Sequence, residues 1–339
     1  MAEKVTSLQV AEKAGVSQSA VSRVFTPGAS VSAKTAEKVR KAARELGYRP
    51  NILARAMITG RSRIIGLVVA YLENHFYPEV LEKLSNALQA QGYHVLIFMA
   101  AQTARHIDSV VEEILDYQVE GIIMASVAMS NDITSRCEAA GVPVVLFNRL
   151  QDDETLSGVA SDNVAGGRKL AEFLVAGGHR RIAHIAGWAG ASTQRDREQG
   201  FLQGLAAAGL TLHSRAEGNF HSDQAQAAAR QLFDTANRPD AVFVANDHMA
   251  FAVMDVLRFE LGLSIPEDVS VVGYDDVIIA SWPSYNLTTV RQRANRMVEE
   301  TVRTMLTRIE TPDAPARRVT IDGPLIVRGS ARIPEGWTE

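Results

Sequence analysis

Short apolar runs alternate with amphipathic helical stretches along most of this sequence, from residue 64 onward. The strand-like runs are 64–70, 94–100, 121–126, 143–148, 181–187, 241–246 and 269–275, and the helical stretches include 78–91, 104–117, 163–176, 195–208, 223–234 and 247–261. This alternation predicts parallel sheets with helices on both faces. Because there are more strands than one regular sheet holds, we predict an α/β body of two doubly wound parallel-sheet lobes with a cleft between them.

The composition is that of a folded protein. The 339 residues are 46% apolar and 22% charged, which excludes a disordered or low-complexity chain. No stretch approaches the ~18–20 apolar residues of a membrane span, and residues 1–10 lack a signal-peptide core, so we expect a cytoplasmic, nucleoid-associated protein with no membrane partner. Cys137 is the only cysteine and the histidines are scattered. We therefore expect no metal site and no cofactor.

Charge is distributed unevenly along the chain. Residues 1–63 contain 12 Lys and Arg against 4 Asp and Glu, a net charge of +8, whereas the rest of the chain contains 23 against 35, a net charge of −12. A small basic head on a large acidic body favours a polyanion as the partner of the head. A solvated charged head without a partner is the alternative.

The head begins with a helix-turn-helix pattern. Thr6 caps the first predicted helix and Gly15 ends it, and Ser17 caps the second, 18–25. Residues 35–46 predict a third helix. The apolar residues at helical spacing in the first helix are Leu8, Ala11 and Ala14. The head is therefore predicted to be an all-α helix-turn-helix unit.

In such a unit the second helix lies in the major groove, and its first residues face base edges. The candidate readers of bases are Gln18, Ser19 and Arg23, because Gln pairs with adenine and Arg with guanine through bidentate hydrogen bonds. The hydroxyl residues expected to hold phosphates are Thr6, Ser7, Ser17 and Ser22. Helix capping is the alternative for the hydroxyl residues, and a solvated surface arginine is the alternative for Arg23.

Further motifs carry a family resemblance. They are Val-Ala at 10–11, Ala-Gly-Val-Ser at 14–17, Val-Ser-Arg-Val at 21–24, Gly-Tyr-Arg-Pro-Asn at 47–51 and Ala-Arg at 54–55. Residues 6–69 resemble the DNA-binding head and hinge of the lactose-repressor (LacI/GalR) family. The resemblance implies a head over 1–50 and a hinge helix over 51–63 that orders on operator DNA. It places Asn51 and Arg55 at the DNA and makes Met57 an apolar wedge that kinks the minor groove; an ordinary apolar helix residue is the alternative for Met57.

The resemblance continues through the body to about residue 329. Its motifs include Val-Pro at 142–143, Asp-Asn at 162–163, Gly-His-Arg-Arg-Ile at 178–182, Ala-Asn-Asp at 245–247 and Val-Gly-Tyr-Asp at 272–275. The family body is similar to periplasmic sugar-binding proteins, whose lobes are joined by crossover strands, here expected near Asp162, Arg291 and Asp322. This implies an N-lobe over 64–162 and 292–322 and a C-lobe over 163–291 and 323–339.

Polar and aromatic residues follow the predicted strands, where ligands of open parallel sheets bind. By position these are His75, Phe76, Asn148, Asn246 and Asp275, with Arg197 early on its helix and Phe220 after the run 216–219. Carboxylate, amide and guanidinium groups beside aromatic rings are typical of a sugar pocket. The family resemblance implies effector contacts at the same positions and at Asp162 and Thr193.

Alternatives stand beside several of these positions. Asn246 is also placed to cap the next helix, and Asp247 is expected to cap it. Core packing is the alternative for Phe76 and Phe220, a crossover hydrogen bond for Asp162, and an ion pair with each other for Arg197 and Asp275. Arg149 either lines the cleft or pairs with Asp152 or Asp153.

The effector class follows from one departure. Purine-binding members of the family have an arginine two residues before the position of Thr193, and this chain has Ala191 there. We therefore expect a sugar, polyol or sugar acid rather than a purine, and Arg149 and Arg197 leave room for an acidic one.

The sequence favours a transcriptional regulator over two other classes of protein. An enzyme is disfavoured because no P-loop, Gly-x-Ser-x-Gly elbow or His-Glu-x-x-His pair is present. A transport sugar-binding protein would have an export signal and would lack the basic head. We expect a homodimer that places one head on each half of a near-palindromic operator. A small-molecule effector is expected to control its binding to the operator. Residues 330–339 have no leucine heptad, so we expect assembly to stop at the dimer.

Overall fold

The computed structural model describes residues 5–26, 29–49, 61–100, 104–126, 131–152 and 154–337. The chain divides into two compact units, Met1–Arg63 and Ile64–Glu339, called here the head and the body. Most of the expected hinge helix, including Asn51, Arg55 and Met57, lies outside the described residues.

The described residues of the head form three helices, α1 (Ser7–Ala14), α2 (Gln18–Val24) and α3 (Ala33–Leu46). Thr6 and Gln9 form the predicted capping box at the start of α1, and Gly15 ends this helix with φ of 63°. The buried core residues are Val10, Ala11, Ala14, Val21, Val39, Ala42 and Ala43. Leu8, predicted on the inner face, is 52% exposed, because the buried face of α1 is centred on Val10 and Ala11.

The strands of the described body residues form two six-stranded sheets. The strands are β1 (Ile64–Val69), β2 (His94–Met99), β3 (Gly121–Ala125), β4 (Val144–Phe147), β5 (Ser157–Ser161), β6 (Ile182–Ala186), β7 (Ser214–Glu217), β8 (Ala241–Val244), β9 (Ser270–Asp275), β10 (Thr288–Arg291), β11 (Arg318–Ile321) and β12 (Leu325–Ile326). The order is β2-β1-β3-β4-β5-β11 in the N-lobe and β7-β6-β8-β9-β10-β12 in the C-lobe. All neighbours are parallel except β12, which is antiparallel to β10.

Helices cover these sheets. They are α4 (Phe76–Ala90), α5 (Ala104–Asp116), α6 (Asn131–Ala139), α7 (Asn163–Ala176), α8 (Ser192–Ala207), α9 (Ser222–Phe233), α10 (Asp247–Asp255) and α11 (Ala294–Glu310), with a π-helical turn at Val256–Glu260 and a 3₁₀ turn at Ile278–Ser281. The predicted fold class, a helix-turn-helix head with an α/β body of two parallel-sheet lobes, is confirmed. Within the described ranges, no helix is both long and apolar enough to cross a membrane.

The chain passes between the lobes near the residues that separate β5 from α7, β10 from α11, and β11 from β12. The passages lie close together. An added Cβ at Gly323, after β11, would be 2.0 Å from the carbonyl oxygen of Arg291, at the end of β10. Such contact requires glycine, because no side chain fits between the two backbones.

Helices α7 and α8 of the C-lobe are also in backbone contact. An added Cβ at Gly167 would be 2.1 Å from the carbonyl oxygen of Arg197, and one at Gly200 would be 1.9 Å from that of Val164. At Gly204 it would be 2.7 Å from the Cβ of Ala171. The spacing of these glycines sets how deeply α8 lies against α7 and therefore where Arg197 stands in the lobe.

Gly200→Ala should lower the free energy of unfolding of the body by roughly 1–3 kcal/mol, the usual cost of overpacking, although alanine has the higher helix propensity. Chemical denaturation of both proteins measures the difference. Gln203→Ala, on the exposed side of the same helix, is the control and should change stability little. Equal stabilities of Gly200→Ala and the parent would contradict the close approach of α7 and α8.

Candidate functional site

The side chains expected at DNA lie around the first turns of α1 and α2. Ser17 is the N-cap of α2, and its Oγ accepts from the backbone N–H of Ala20 at 3.2 Å and lies 2.9 Å from the Oγ of Ser19. Gln18 Nε2 donates to Ser7 Oγ at 2.9 Å, which joins the two helices. Ser17 therefore caps α2 and also exposes its hydroxyl group to solvent.

The other head candidates are exposed. Thr6 caps α1, and Ser22 and Arg23 lie on the exposed face of α2. Arg23 forms no ion pair with any described residue. The remaining candidates, Asn51, Arg55 and Met57, lie outside the described residues.

A buried carboxylate, Asp275 at the end of β9, is the centre of the cleft between the lobes. Its Oδ1 accepts from Gln292 Nε2 at 2.7 Å and from Arg197 Nη2 at 3.3 Å. Its Oδ2 accepts from Asn74 Nδ2 at 3.1 Å. Asn74 belongs to the N-lobe loop after β1, and Gln292 follows β10 where the chain changes lobes. One carboxylate therefore joins both lobes and a passage between them.

Sequence reasoning did not name Asn74 or Gln292. Asn74 precedes His75 in the residues that follow the first apolar run, so its position was an available signal. Gln292 follows β10, a four-residue strand, Thr-Thr-Val-Arg, that is too short and polar to be recognised from its pattern.

Arg197, in the second turn of α8, is buried and held on every side. Its Nε donates to Asn163 Oδ1 at 2.9 Å and its Nη1 to the carbonyl of Ala245 at 2.7 Å. Its Cζ lies 3.7 Å from the centre of the Tyr274 ring. The ion pair with Asp275 that the sequence left open is present. A guanidinium has more N–H donors than these contacts use, so the pair leaves donors for a ligand.

Asp247 lies behind this pair. The expectation that it caps α10 is wrong: Asn246 is the cap, and its side chain accepts from the backbone N–H of Met249 at 3.0 Å. The Asp247 carboxylate is buried instead, where it accepts from Thr289 Oγ1 at 2.7 Å and from the backbone N–H of Val277 at 3.1 Å. These donors hold a carboxyl group that is cut off from water.

Burial dominates the protonation of both carboxyl groups. It raises the pKa of Asp247 to about 7, and the nearby charge of Asp275 adds to the rise. Burial also raises the pKa of Asp275, while the Arg197 guanidinium and the amides of Asn74 and Gln292 oppose that rise. Both carboxyl groups are thus harder to ionise than exposed ones, and Asp275 is the one with a cationic partner that favours its charged form.

The N-lobe side of the cleft is formed by the ends of β3 and β4. Asn148 Nδ2 donates to Tyr77 Oη at 3.1 Å and to Ser126 Oγ at 3.3 Å, and these two hydroxyl groups bond each other. Phe76 is buried, and its ring is stacked 6.3 Å from that of Phe147. Phe76 thus belongs to the N-lobe core and also borders the cleft.

Phe220 and Arg149 meet from opposite lobes. The Phe220 ring lies against Gly187, where an added Cβ would be 2.2 Å from it. The Arg149 Cζ lies 5.3 Å from the centre of the Phe220 ring and 6.0 Å from that of Trp188. Asp152, one partner considered for Arg149, pairs with Arg195 at 2.9 Å, and Asp153, the other, lies outside the described residues. Among the described groups, the guanidinium of Arg149 faces the two aromatic rings at the cleft.

The remaining candidates are less central. Thr193 is buried in the first turn of α8. Asp162 caps α7 by accepting from the backbone N–H of Ala165 at 2.9 Å. Its own backbone N–H donates to the carbonyl of Ile321 in β11 at 3.0 Å, so the crossover hydrogen bond considered for it is present. His75 precedes α4 and is exposed.

Backbone strain is concentrated at this cleft. Ser126, Asn148, Phe220 and Asp275 have φ of 59°, 69°, 65° and 129°. Such conformations cost non-glycine residues of the order of 1–3 kcal/mol each and persist where the surrounding structure enforces them. Their position at the carboxyl ends of strands makes this cleft the candidate functional site of the body.

A hydrogen-bond network of polar side chains behind the cleft supports the first turns of α8. Gln194 Oε1 accepts from the backbone N–H of Gly187 at 2.6 Å, and its Nε2 donates to Glu198 Oε2 at 2.8 Å and lies 3.1 Å from His184 Nε2. His184 Nδ1 lies 2.9 Å from the carbonyl oxygen of Phe243, so it carries the proton. Burial lowers the pKa of His184 to about 4 and keeps the ring neutral.

A cavity of about 290 Å³ adjoins Asp275 beside the passages between the lobes. Its lining includes Phe76, Gln292 and the cationic Lys83, Arg291 and Arg293. This is near the lower end of the volumes of small-molecule pockets. The Asp275 network is therefore bordered by space as well as by hydrogen-bond partners.

Asp247 should give the stability of the body a specific pH dependence. Because its pKa is raised from an ordinary 3.8 to about 7, the folded state binds this proton more tightly than the unfolded state does. Its contribution to the free energy of unfolding is complete below about pH 4 and is lost as pH rises towards 7, by up to ~1.4 kcal/mol per pH unit.

Asp247→Asn should flatten this dependence, because the amide does not titrate. Denaturant unfolding at several pH values between 4 and 8 measures it. Asp313→Asn, at an exposed position, should leave the slope unchanged. Parallel curves for the parent and Asp247→Asn would show that Asp247 does not carry the proton.

Comparisons with known proteins give matches in both the head and the body. Residues 8–51 match the family described as bacterial regulatory proteins, lacI family, and residues 171–331 match a periplasmic binding protein-like domain. The regulator CelR of Thermobifida fusca is 35% identical over 332 residues, 95% of this chain and 96% of that protein. The repressor PurR of Vibrio vulnificus is 30% identical over 330 residues, 96% of this chain and 98% of that one.

Solved structures of related proteins have the same fold. A lac repressor dimer bound to operator and an anti-inducer has a TM-score of 0.87 at 29% identity, over 97% of this chain and 99% of that one. A complex of CelR with cellobiose has a TM-score of 0.74 at 33% identity, over 97% and 100%. The sequence and fold agree over nearly the whole chain, and the protein belongs to the LacI family of bacterial regulatory proteins.

Proposed function

We propose that this regulator is a repressor whose affinity for a near-palindromic operator is controlled by a polyhydroxylated small molecule bound between the lobes of the body. The molecule belongs to the sugars, polyols or sugar acids. The observation that carries the effector class is a pair of buried hydrogen-bond acceptors at the cleft that have no donor among the described residues.

Both acceptors are amide oxygens. Asn148 Oδ1 and Gln292 Oε1 are buried and accept no hydrogen bond within the described residues. A buried acceptor without a donor costs about 1–3 kcal/mol, and hydroxyl groups supply the missing donors. A ligand with several hydroxyl groups can therefore satisfy both amides, and the buried aromatic rings of Phe76 and Phe220 suit the C–H faces of a sugar.

The comparisons support this class. CelR was solved with cellobiose, and a 30% identical relative in Escherichia coli is the ribose operon repressor. PurR is similarly related, but Ala191 at the start of α8 offers only a buried methyl group where purine-binding members are expected to have arginine. A sugar-like effector is therefore favoured over a purine.

The remaining candidates complete the proposed effector site. Its residues are His75, Phe76, Asn148, Asp162, Thr193, Arg197, Phe220, Asn246 and Asp275. Asp162 and Asn246 also cap helices through Oδ1, and they are proposed to contact effector through Oδ2 and Nδ2 respectively. Because the relatives are DNA-binding regulators, the protein is inferred not to be an enzyme.

The DNA-binding side of the proposal rests on the head. Gln18, Ser19 and Arg23 are assigned to bases, with the hydroxyl residues of α1 and α2 on phosphates. Residues 51–63 are assigned as the hinge, of which 61–63 are not helical in the structure, with Asn51 and Arg55 at the DNA and Met57 in the minor groove. With DNA as its partner, the protein is placed in the cytoplasm with the nucleoid.

A homodimer is proposed because the C-lobe exposes large apolar side chains. Phe259 is 81% exposed and Ile278 is 72% exposed. Ile278 begins the 3₁₀ turn, and Trp282 directly follows that turn. Arg258 donates to the carbonyl of Ser284, which holds the two segments together. Exposed aromatic and aliphatic groups of this size are typical of interaction surfaces.

Operator binding should depend strongly on salt and on Arg23. Log affinity should fall linearly with log salt concentration by several units, at ~0.9 per phosphate contact. Arg23→Ala should relax base preference at one position of each half-site by roughly 1–3 kcal/mol. Fluorescence anisotropy with a library of operator fragments measures both effects.

Lys38→Ala is the matched control, since it removes the same charge from an exposed position on α3. It should leave base preference unchanged. If both variants changed the salt slope equally and both kept the base preference of the parent, Arg23 would contact only phosphate.

Asp275→Asn should make operator binding insensitive to effector. Charge-assisted hydrogen bonds are worth about 1.5–3 kcal/mol, so the affinity for effector should fall ten- to a hundredfold. A thermal-shift screen of sugars, polyols and sugar acids identifies the effector, and operator binding with and without it gives the response in either direction. The melting temperature should also fall, because Arg197 loses its carboxylate partner.

Asp240→Asn separates the two effects. Asp240 immediately precedes β8, at the opposite end of the C-lobe sheet from the cleft, and its carboxylate accepts from the backbone N–H of Arg181 at 3.2 Å. This control should also melt lower but should keep its response to effector. An intact response in Asp275→Asn would exclude the proposed pocket.

A further inference from the structure

The cleft contains a buried cation that the described residues do not neutralise. Arg149 is 7% exposed, and none of the described carboxylates lies within ion-pair distance of it. Asp152 is engaged by Arg195. A buried charge is costly unless it is paired, so the absence of a protein counter-ion needs an explanation.

The hydrogen bonds of Arg149 are also incomplete. Its Nη1 donates to the carbonyl of Ser126 at 3.1 Å, whereas its Nε is buried and donates to none of the described residues. The ring of Phe220 lies 5.3 Å from its Cζ and the ring of Trp188 lies 6.0 Å from it. Aromatic faces attract a guanidinium, but they do not neutralise its charge or accept the Nε–H in place of an oxygen.

The neighbouring charges balance without Arg149. Arg197 and Asp275 pair with each other at 3.3 Å, and Asp247, with a pKa raised to about 7, is largely protonated in mildly acidic solution. The hydroxyl of Tyr71, which feels both Arg149 and Asp275, has a pKa raised well above its ordinary value by burial and therefore supplies no negative charge. None of these described groups therefore supplies the negative charge that would neutralise Arg149.

We propose that the effector is an anion, a polyhydroxylated molecule whose carboxylate or phosphate group binds the guanidinium of Arg149. This assignment rests on the proposed sugar-like effector and narrows it. The hydroxyl groups satisfy Asn148 and Gln292, and the anionic group accepts from the Nε and free Nη hydrogens of Arg149. Carboxylates and phosphates both match the planar fork of a guanidinium.

The anion would be held between the lobes. Arg149 follows β4 in the N-lobe, while Phe220 and Trp188 belong to the C-lobe. Binding neutralises the guanidinium of Arg149, which faces the Phe220 and Trp188 rings of the other lobe. Neutral sugars lack this interaction and would leave the buried guanidinium uncompensated.

Matched pairs of probes that differ in charge test the assignment. They are D-gluconate with D-glucitol, D-galacturonate with D-galactose, and D-glucose 6-phosphate with D-glucose, together with inorganic phosphate alone. Melting temperatures of the full-length protein are measured with each at increasing concentration and constant ionic strength. We expect saturable stabilisation by at least one anionic probe and an affinity at least tenfold below it for the neutral partner. The acid and phosphate arms distinguish the two anionic groups.

Arg149→Gln should abolish the stabilisation by anions, and Arg149→Lys should retain part of it because it retains the charge. Without any probe, Arg149→Gln should melt no lower than the parent, since an unpaired buried charge is removed. Arg195→Gln is the control of equal charge change at an exposed position, and it should respond to anions as the parent does.

Two results would overturn the assignment. Neutral sugars that stabilise the parent and Arg149→Gln equally would leave the proposed sugar-like effector standing without an anionic group. Identical responses of the parent and Arg149→Gln to every probe, including inorganic phosphate, would remove Arg149 from the site. If, in that case, no polyol altered operator binding either, the proposed effector class would fail as well.

Discussion

The buried ion pair of Arg197 and Asp275 is the interaction on which the body depends. Each group is costly to bury alone, and each is oriented by further partners: Asn163 and the carbonyl of Ala245 for the guanidinium, Asn74 and Gln292 for the carboxylate. Asp275 accepts from Asn74 of one lobe and from Arg197 of the other. The ion pair therefore also holds the two lobes together. A ligand that bonds to either charged group therefore competes with contacts between the lobes.

The overall architecture could be predicted because its causes are local. The strong strands are continuous apolar runs, such as β1 and β3, whose residues are all buried. The strands that sequence reasoning missed are short or polar. β5 is Ser-Gly-Val-Ala-Ser and β11 is Arg-Val-Thr-Ile, and they become strands because they pair with each other. The pattern of α11 is amphipathic over 17 residues, so that helix was an available prediction.

The cleft was less accessible to sequence reasoning, although position at the end of a strand is readable and led to Asn148, Asn246 and Asp275. Which way a side chain turns there depends on backbone conformation, and the φ of 129° at Asp275 cannot be read from a pattern. Asp247 and Asn246 stand side by side on the chain and are both buried, yet Asn246 caps α10 whereas the Asp247 carboxylate accepts from Thr289 and from the backbone of Val277. The partner of Arg149 could not be decided from the sequence, because its neighbours Ser126 and Phe220 are far away along the chain.

The glycine contacts between α7 and α8 have a mechanical consequence. The carbonyl of Arg197 lies against Gly167, and the carbonyl of Val164 lies against Gly200. Val164 stands two residues beyond Asp162, where the chain enters the C-lobe. With no compressible side chain between these backbones, Arg197 and that entry point behave as parts of one stiff unit. A displacement of Arg197 would then reach the strands joining the lobes as a rigid-body movement, without being absorbed by side-chain rearrangement along the way.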